Sequence, residues 1–222
     1  NLPYQFKRGK EITKGKIEFG FEGDGKDMQI NLLSNVPNDF KSVSKFMVDK
    51  DTLNYWFTPI EADSLNFTIS NNNFLDTVTV KLRKKKLDSL TISSSVRNIL
   101  HFRDTFFITS NNPIVMIDTS KVSLIDKDTI AVKYEALLSQ KENKISFIFD
   151  KKPEEKYKFK ALPAAFHDVF GVKNDTLNYN FSTKELDDYG RLTINVNNVN
   201  SKNLIIELLS GKDQIIERKI IA

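Results

Sequence analysis

Apolar and polar residues alternate with a period of two through most of the chain, which marks half-buried β-strands. Lys16-Ile17-Glu18-Phe19-Gly20-Phe21 alternates, breaks at Asp24-Gly25 and resumes at Met28-Gln29-Ile30-Asn31-Leu32. Asp-Gly between alternating runs predicts a hairpin, because both turn positions take positive φ. Further strands are predicted at Leu53–Thr58, Leu65–Ser70, Val78–Leu82, Phe106–Thr109, Val122–Leu124, Ile130–Tyr134, Ile145–Phe149 and Tyr157–Phe159. Leu177–Phe181, Leu192–Val196, Leu204–Leu209 and Gln214–Ile220 complete the series. These runs are rich in β-branched and aromatic residues, with Asn, Asp, Gly or Pro between them. Helical spacing is scarce: Phe40–Met47 predicts a short helix and Ala161–Val169 a helical turn. The pattern is all-β, and short strands at regular spacing imply sandwiches rather than a βαβ sheet.

A local device repeats: Asp followed by Thr or Ser opens an alternating run at Asp51, Asp63, Asp76, Asp104, Asp128 and Asp175. Asp accepts a backbone N–H to close a turn, and the following residue starts the strand. Two copies are nearly identical, DTLNYWFT from Asp51 and DTLNYNFS from Asp175. Alternation puts Leu, Tyr and Phe of each on one face. The boundaries that follow are residues 1–13 as a linker or edge strand, 14–85 as one sandwich and 86–97 as a linker. Residues 98–183 make a second sandwich and 184–222 a partial third β-domain, since three strands rarely stand alone.

Composition narrows the chemistry. The 222 residues are 40% hydrophobic, enough for a packed core, and include no Cys. That rules out disulfides, thiolate zinc sites and a cysteine nucleophile. Two histidines distant in sequence, His101 and His167, do not make a multi-histidine metal site. No apolar run approaches the roughly 20 residues of a membrane helix. The net charge is only +4, and its one basic block, Lys81–Lys86, reads as a strand end or linker that guards a sheet edge. The chain opens at Asn1 without a leader, so it is expected to be processed or part of a longer protein, with any export signal upstream.

Candidate sites are few. His167-Asp168 has the form of an acid–base pair, but no Gly-x-Ser-x-Gly elbow accompanies it, and in the Ig-like pattern that this stretch resembles, described below, Asp168 belongs to a turn. Glu22–Asp27 offers alternate oxygen ligands for calcium but lacks the terminal Glu of an EF-hand, and Lys26 repels a cation. Asp187-Asp188 is a weaker metal candidate, and Asp126-Lys127-Asp128 reads as a turn. Tyr55, Trp56 and Phe57 are consecutive. If Tyr55 and Phe57 face the core, Trp56, the one Trp, lies on the other face, as a partner or glycan contact or packed at a domain joint; if they splay outward, Trp56 is an Ig-type core residue. No phosphate loop, nucleic-acid motif or paired-carboxylate site is present, so no cofactor, metal or catalytic residue is expected.

The run Phe159-Lys160-Ala161-Leu162-Pro163-Ala164-Ala165-Phe166-His167-Asp168-Val169-Phe170-Gly171, with Asn174-Asp175-Thr176-Leu177 and Tyr179-Asn180-Phe181-Ser182-Thr183, resembles the bacterial Ig-like domain of the SbsA type. That pattern has a "D.fG" turn and a last strand ending "F.T", and it covers about Phe102–Thr183. The first module looks Ig-like by strand spacing, and Tyr189–Ala222 looks like the opening of a transthyretin-like or CnaB-like sandwich. The resemblance implies tandem immunoglobulin-like β-sandwiches. Together with the Lys/Asn/Phe-rich composition it is similar to cell-envelope lipoproteins of Bacteroidota. A non-enzymatic spacer, scaffold or docking subunit of an outer-membrane assembly is then expected, partnered by outer-membrane or cell-surface proteins and anchored through a segment outside this one. The alternative is a carbohydrate-binding module appended to an enzyme. The Asp-Thr/Ser device also resembles the O-glycosylation signal of exported Bacteroidota proteins, at Thr52, Ser64, Thr77, Ser89, Thr129 and Thr176. Asn66, Asn174 and Asn180 match an N-glycosylation pattern that matters only in a eukaryotic secretory setting.

Overall fold

Alternating residues need a second sheet to cover their apolar face, and the first seven strands supply both layers. The computed structural model describes residues 3–47, 51–139, 143–190, 193–197 and 204–221. The chain divides into two units, Asn1–Leu186 and Asp187–Ala222. The first sandwich contains β1 (Gln5–Thr13), β2 (Lys16–Glu22), β3 (Gln29–Leu32), β4 (Ser42–Phe46), β5 (Thr52–Phe57), β6 (Ser64–Asn71) and β7 (Phe74–Lys81). They form the sheets β1-β2-β5-β4 and β3-β6-β7, antiparallel throughout. Lettered A to G in chain order, this is the ABED and CFG arrangement of an Ig constant-type domain. Ile17, Phe19, Leu53, Tyr55 and Phe57 from one sheet meet Leu65, Phe67, Ile69 and Val80 from the other in one buried cluster.

The second sandwich repeats the order. Its strands are β8 (Ile92–Ser94), β9 (Phe106–Ser110), β10 (Ile114–Ile117), β11 (Val122–Ile125), β12 (Glu135–Ser139), β13 (Lys144–Ile148), β14 (Lys156–Ala161), β15 (Phe166–Asp168) and β16 (Leu177–Ser182). The sheets β8-β9-β13-β12 and β11-β14-β16 again correspond to ABED and CFG. After β8 the chain crosses to the other sheet. Asn98–Leu100 lies parallel to the end of β16, through Ser182 N–H to Asn98 O (2.8 Å) and Leu100 N–H to Ser182 O (2.9 Å). An extra ribbon, β10-β15, ties the connections that follow β9 and β14. In the second unit, β17 (Leu204–Leu209) and β18 (Ile215–Ile221) form an antiparallel hairpin.

Several expected elements differ. The Asp24-Gly25 hairpin does not form: β2 and β3 lie in different sheets, and the loop crosses from one layer to the other. The reason is packing. A Cβ on Gly25 would sit 2.1 Å from the Phe21 ring, so glycine serves a close approach over an inward Phe rather than a two-residue turn. Phe40–Met47 holds strand β4 instead of a helix, because Ser42–Phe46 completes the edge of the sheet beside β5. Ala161–Val169 holds a turn and strand β15 instead of a helical turn. The strand expected at Ile130–Tyr134 makes only a single bridge, Ile125 to Ala131, and the ladder forms one step later, at β12. Residues 193–197 are not strand, and Leu192 lies outside the described residues. Strand β8 falls inside the segment read as a linker, and Gln5–Thr13 is an edge strand of the first sheet.

Two outcomes follow from this packing. Gly25→Ala forces a methyl into the Phe21 ring and should cost about 2 kcal/mol. Calorimetry should show the first sandwich melting earlier, whereas Gly20→Ala, whose new methyl meets nothing nearer than Arg8 Cγ at 3.8 Å, leaves it in place. Burial also raises the hydroxyl pKa of Tyr4, Tyr55, Tyr134, Tyr157 and Tyr179 above the usual 10.0. At these five hydroxyls the folded protein keeps protons that the unfolded chain releases. The hydroxyls therefore add no pH dependence near neutrality and lower stability as pH rises past about 10, against the smaller opposite pull of Lys151, whose pKa burial lowers. Denaturant unfolding between pH 8 and 11 measures this; a constant free energy across that range contradicts it.

Candidate functional site

The residues flagged from sequence do not converge on one place. Asp168 is fully buried on β15. Its Oδ1 accepts Phe170 N–H (2.9 Å) and Val172 N–H (2.8 Å), and its Oδ2 accepts the Asn112 side-chain amide (2.9 Å). A carboxylate used up by three N–H donors is a turn anchor, not an acid–base group. His167 points to the other side of the strand and is half-buried; its backbone neighbours are Met116 across the ribbon and Lys173. His101 has contacts of its own at the start of the second sandwich.

Asn112 was not foreseen. A polar residue in a loop carries no signal until the fold brings it 56 positions along the chain to Asp168. The same holds for the opposite end of this module, where Thr183, the last residue of the "F.T" pattern, acts as a latch. Its Oγ1 accepts Glu155 N–H (3.1 Å) and donates to Lys152 O (2.5 Å). Buried Glu155 in turn caps Lys127 N–H and Lys156 N–H. Asp126 Oδ1 closes its own turn by accepting from Asp128 and Ile130.

The carboxylates raised as metal ligands are engaged or scattered. Asp24 Oδ1 accepts Lys26 N–H at 3.2 Å, within the sheet-crossing loop. Asp187 and Asp188 lie in a short 3-10 turn, Leu186–Asp188. Among the described residues no three His, Asp or Glu side chains are grouped to hold a metal ion.

Trp56 sits where alternation predicts, on the opposite face from Leu53, Tyr55 and Phe57. It is only 1% exposed, and Lys16 Nζ lies over its ring, 5.1 Å from the centroid. Along β5 the outward side chains Thr52, Asn54 and Trp56 carry Oγ1, Oδ1 and Nε1 atoms that are buried without a hydrogen-bond partner among the described residues. The indole is thus a covered part of the sheet and not a solvent-facing stacking platform. The six Asp-Thr/Ser positions divide by exposure. Thr77, Ser89, Thr129 and Thr176 are exposed, Ser64 is half-buried, and the Thr52 hydroxyl is inaccessible.

The two sandwiches meet through named side chains. Phe170, held by Asp168, reaches the turn between β1 and β2 of the first module. A Cβ on Gly15 would lie 2.7 Å from the Phe170 ring and 2.8 Å from Phe57 O. Gly15 also has φ +78°, so two constraints exclude a side chain there. The basic block seals the same end. Lys85 Nζ donates to Glu11 O and Ile12 O (2.7 Å each), Arg83 N–H to buried Glu11 Oε2 (2.7 Å), and Lys14 N–H to Lys86 O (3.2 Å). A cleft of about 580 Å³ lined by Glu11, Lys14, Ile60, Asp63, Leu82 and Arg83 flanks the joint.

No protein family matches the chain, and no curated protein does. Among solved structures it is similar to domains 5-6 of the S-layer protein SbsC, at 11% identity over 82% of this chain and 99% of that one, TM-score 0.28. It is similar also to domains 4-9 of SbsC (12%, 82% and 31%, TM-score 0.30) and to the tandem Ig repeats of Dlar (12%, 82% and 99%, TM-score 0.25). Overlaps this loose carry no argument, and the Ig-like topology rests on the ladders described above.

Asp168→Ala should destabilise the second sandwich by about 3 kcal/mol, since it strands buried N–H donors. His167→Ala should cost well under 1 kcal/mol, as half-exposed sites usually do. Chemical denaturation of both variants tests the assignment of Asp168 as anchor; equal losses would contradict it.

Proposed function

We propose that the chain is a non-enzymatic, extracytoplasmic module of tandem Ig-like domains that acts as a spacer or docking subunit in an outer-membrane protein assembly. The observation that carries the reading is the joint. Phe170 against Gly15 joins the two sandwiches, which fall in one unit, and the Lys85–Glu11 clasp closes the end of the first beside that contact. Buried Asp168 and Thr183, at opposite ends of the second sandwich, hold turns and loops through their hydrogen bonds. Both features suit a module that presents surfaces at fixed spacing. The exposed Asp-Thr/Ser sites Thr77, Ser89, Thr129 and Thr176 are the positions at which O-glycans fit this reading. The alternative, carbohydrate binding through Trp56, requires Lys16 to leave the indole before a sugar can stack on it.

Affinity capture of the full-length protein from detergent-solubilised native membranes tests the reading. It should recover outer-membrane proteins, and the yield should not change with added sugars. Recovery that simple glycans displace, or a protein that fractionates away from the envelope, overturns it. The joint gives a separate expectation: Phe170→Ala should leave both sandwiches folded yet broaden the interdomain distance distribution measured by small-angle scattering or paired spin labels.

A further inference from the structure

Among the described residues, the hairpin β17-β18 has no third strand. A two-stranded ribbon is marginal alone in water. This one exposes Ile205 on β17 and Ile216 and Ile220 on β18, at 58%, 50% and 64%. Among the described residues, the outer edge of β18 has no strand beside it. Ile216 also lacks a partner on β17, because the register slips between Leu208 and Leu209.

We infer that the outer edge of β18 pairs with β18 of a second copy of this chain, antiparallel, about a two-fold axis at Arg218. In the sequence Ile216-Glu217-Arg218-Lys219-Ile220 the flanks of Arg218 are apolar at equal distance and carry opposite charges, Glu217 and Lys219. In an antiparallel two-fold pair the axis passes through a residue position, because facing residues share one side of the sheet. Centring it on Arg218 sets Glu217 opposite Lys219 twice and Ile216 opposite Ile220 twice. Opposite charges and β-branched pairs directly across strands both stabilise a sheet. Centring on Glu217 instead sets Glu opposite Glu and Ile216 opposite Arg218. Centring on Lys219 sets Lys opposite Lys and Arg218 opposite Ile220. One register alone satisfies both charge and apolarity.

The cost at the axis is Arg218 facing Arg218. The hairpin already offsets it: Arg218 Nε and Nη2 both donate to Glu207 Oε1, at 2.6 Å each. Across the resulting four strands the row reads Glu207, Arg218, Arg218, Glu207, which is neutral. The other edge offers no such register. On β17 the one charge is Glu207, and any two-fold there sets it opposite itself or an apolar residue.

Sedimentation of the 222-residue chain over a concentration series should show a monomer–dimer equilibrium. Glu217→Lys should weaken it by about tenfold or more, because two attractive pairs become two repulsive ones. Lys219→Glu should do the same, and the double exchange, which restores the opposition in reverse, should return the dimer. The chain has no Cys, so a thiol introduced by Arg218→Cys should oxidise to a covalent dimer, while Ile206→Cys on β17 should not. A monomer at every concentration, a double exchange that fails to rescue, or equal cross-linking from both thiols overturns the proposal.

Discussion

The spacing between two β-sheets is the constraint from which the rest follows. Facing sheets sit roughly 10 Å apart, a gap that aromatic rings standing on alternate positions fill. In the first module Phe67 from one sheet meets Phe19 at 5.1 Å and Tyr55 at 5.3 Å from the other, both edge-to-face. In the second, Phe106 and Phe147 meet Phe181 and Phe159 at 4.7 and 4.8 Å. With that layer fixed, the ends of each sandwich must be closed by something other than ring packing. The closures are polar: Asp168 with Asn112 at one end of the second module, Thr183 with Glu155 at the other, and Glu11 with Lys85 and Arg83 at the joint end of the first.

What the sequence revealed divides along the same line. Strand existence was legible because alternation is local: Leu204–Leu209 was placed to the residue, and most core strands to within one or two. Pairing was not. Asp24-Gly25 carries the strongest hairpin signal in the chain, yet it crosses between sheets, since Phe21, four positions before Gly25, needs the space a Cβ would fill. Phe40–Met47 reads as helix because Val43, Phe46 and Met47 fall at helical spacing, and the open edge of β5 decides otherwise. Among site residues, the turn role of Asp168 was legible only through the resemblance of its stretch to the Ig-like "D.fG" pattern, whereas Asn112, Gly15 and Phe170 act over long sequence separations that no local pattern encodes.

Joining the modules ties a local choice to a long-range result. Asp168 is buried, so its hydrogen bonds are costly to break, and one of them goes to the backbone of Phe170. The ring that meets Gly15 of the first sandwich is therefore positioned from the interior of the second. Stability of the one module and stiffness of the pair are coupled through a single turn.

The twin octapeptides show how much a short sequence determines. DTLNYWFT becomes β5, a central strand bonded on both sides to β2 and β4. DTLNYNFS becomes β16, bonded along its length to β14 and at its end to Asn98–Leu100. The two are not equivalent strands, being E in one sandwich and G in the other. What they share is the inward face: Leu53, Tyr55 and Phe57 in one, and Leu177, Tyr179 and Phe181 in the other, all pack on a core. Besides Thr58 against Ser182 at the eighth position, the difference is at the outward sixth, buried Trp56 against exposed Asn180. A central strand can cover a large indole with side chains of its neighbours, as Lys16 of β2 does here, while a strand near an edge leaves its outer face to water. Local sequence thus fixes which side chains turn inward, and the outward residues record where in the sheet the strand was placed.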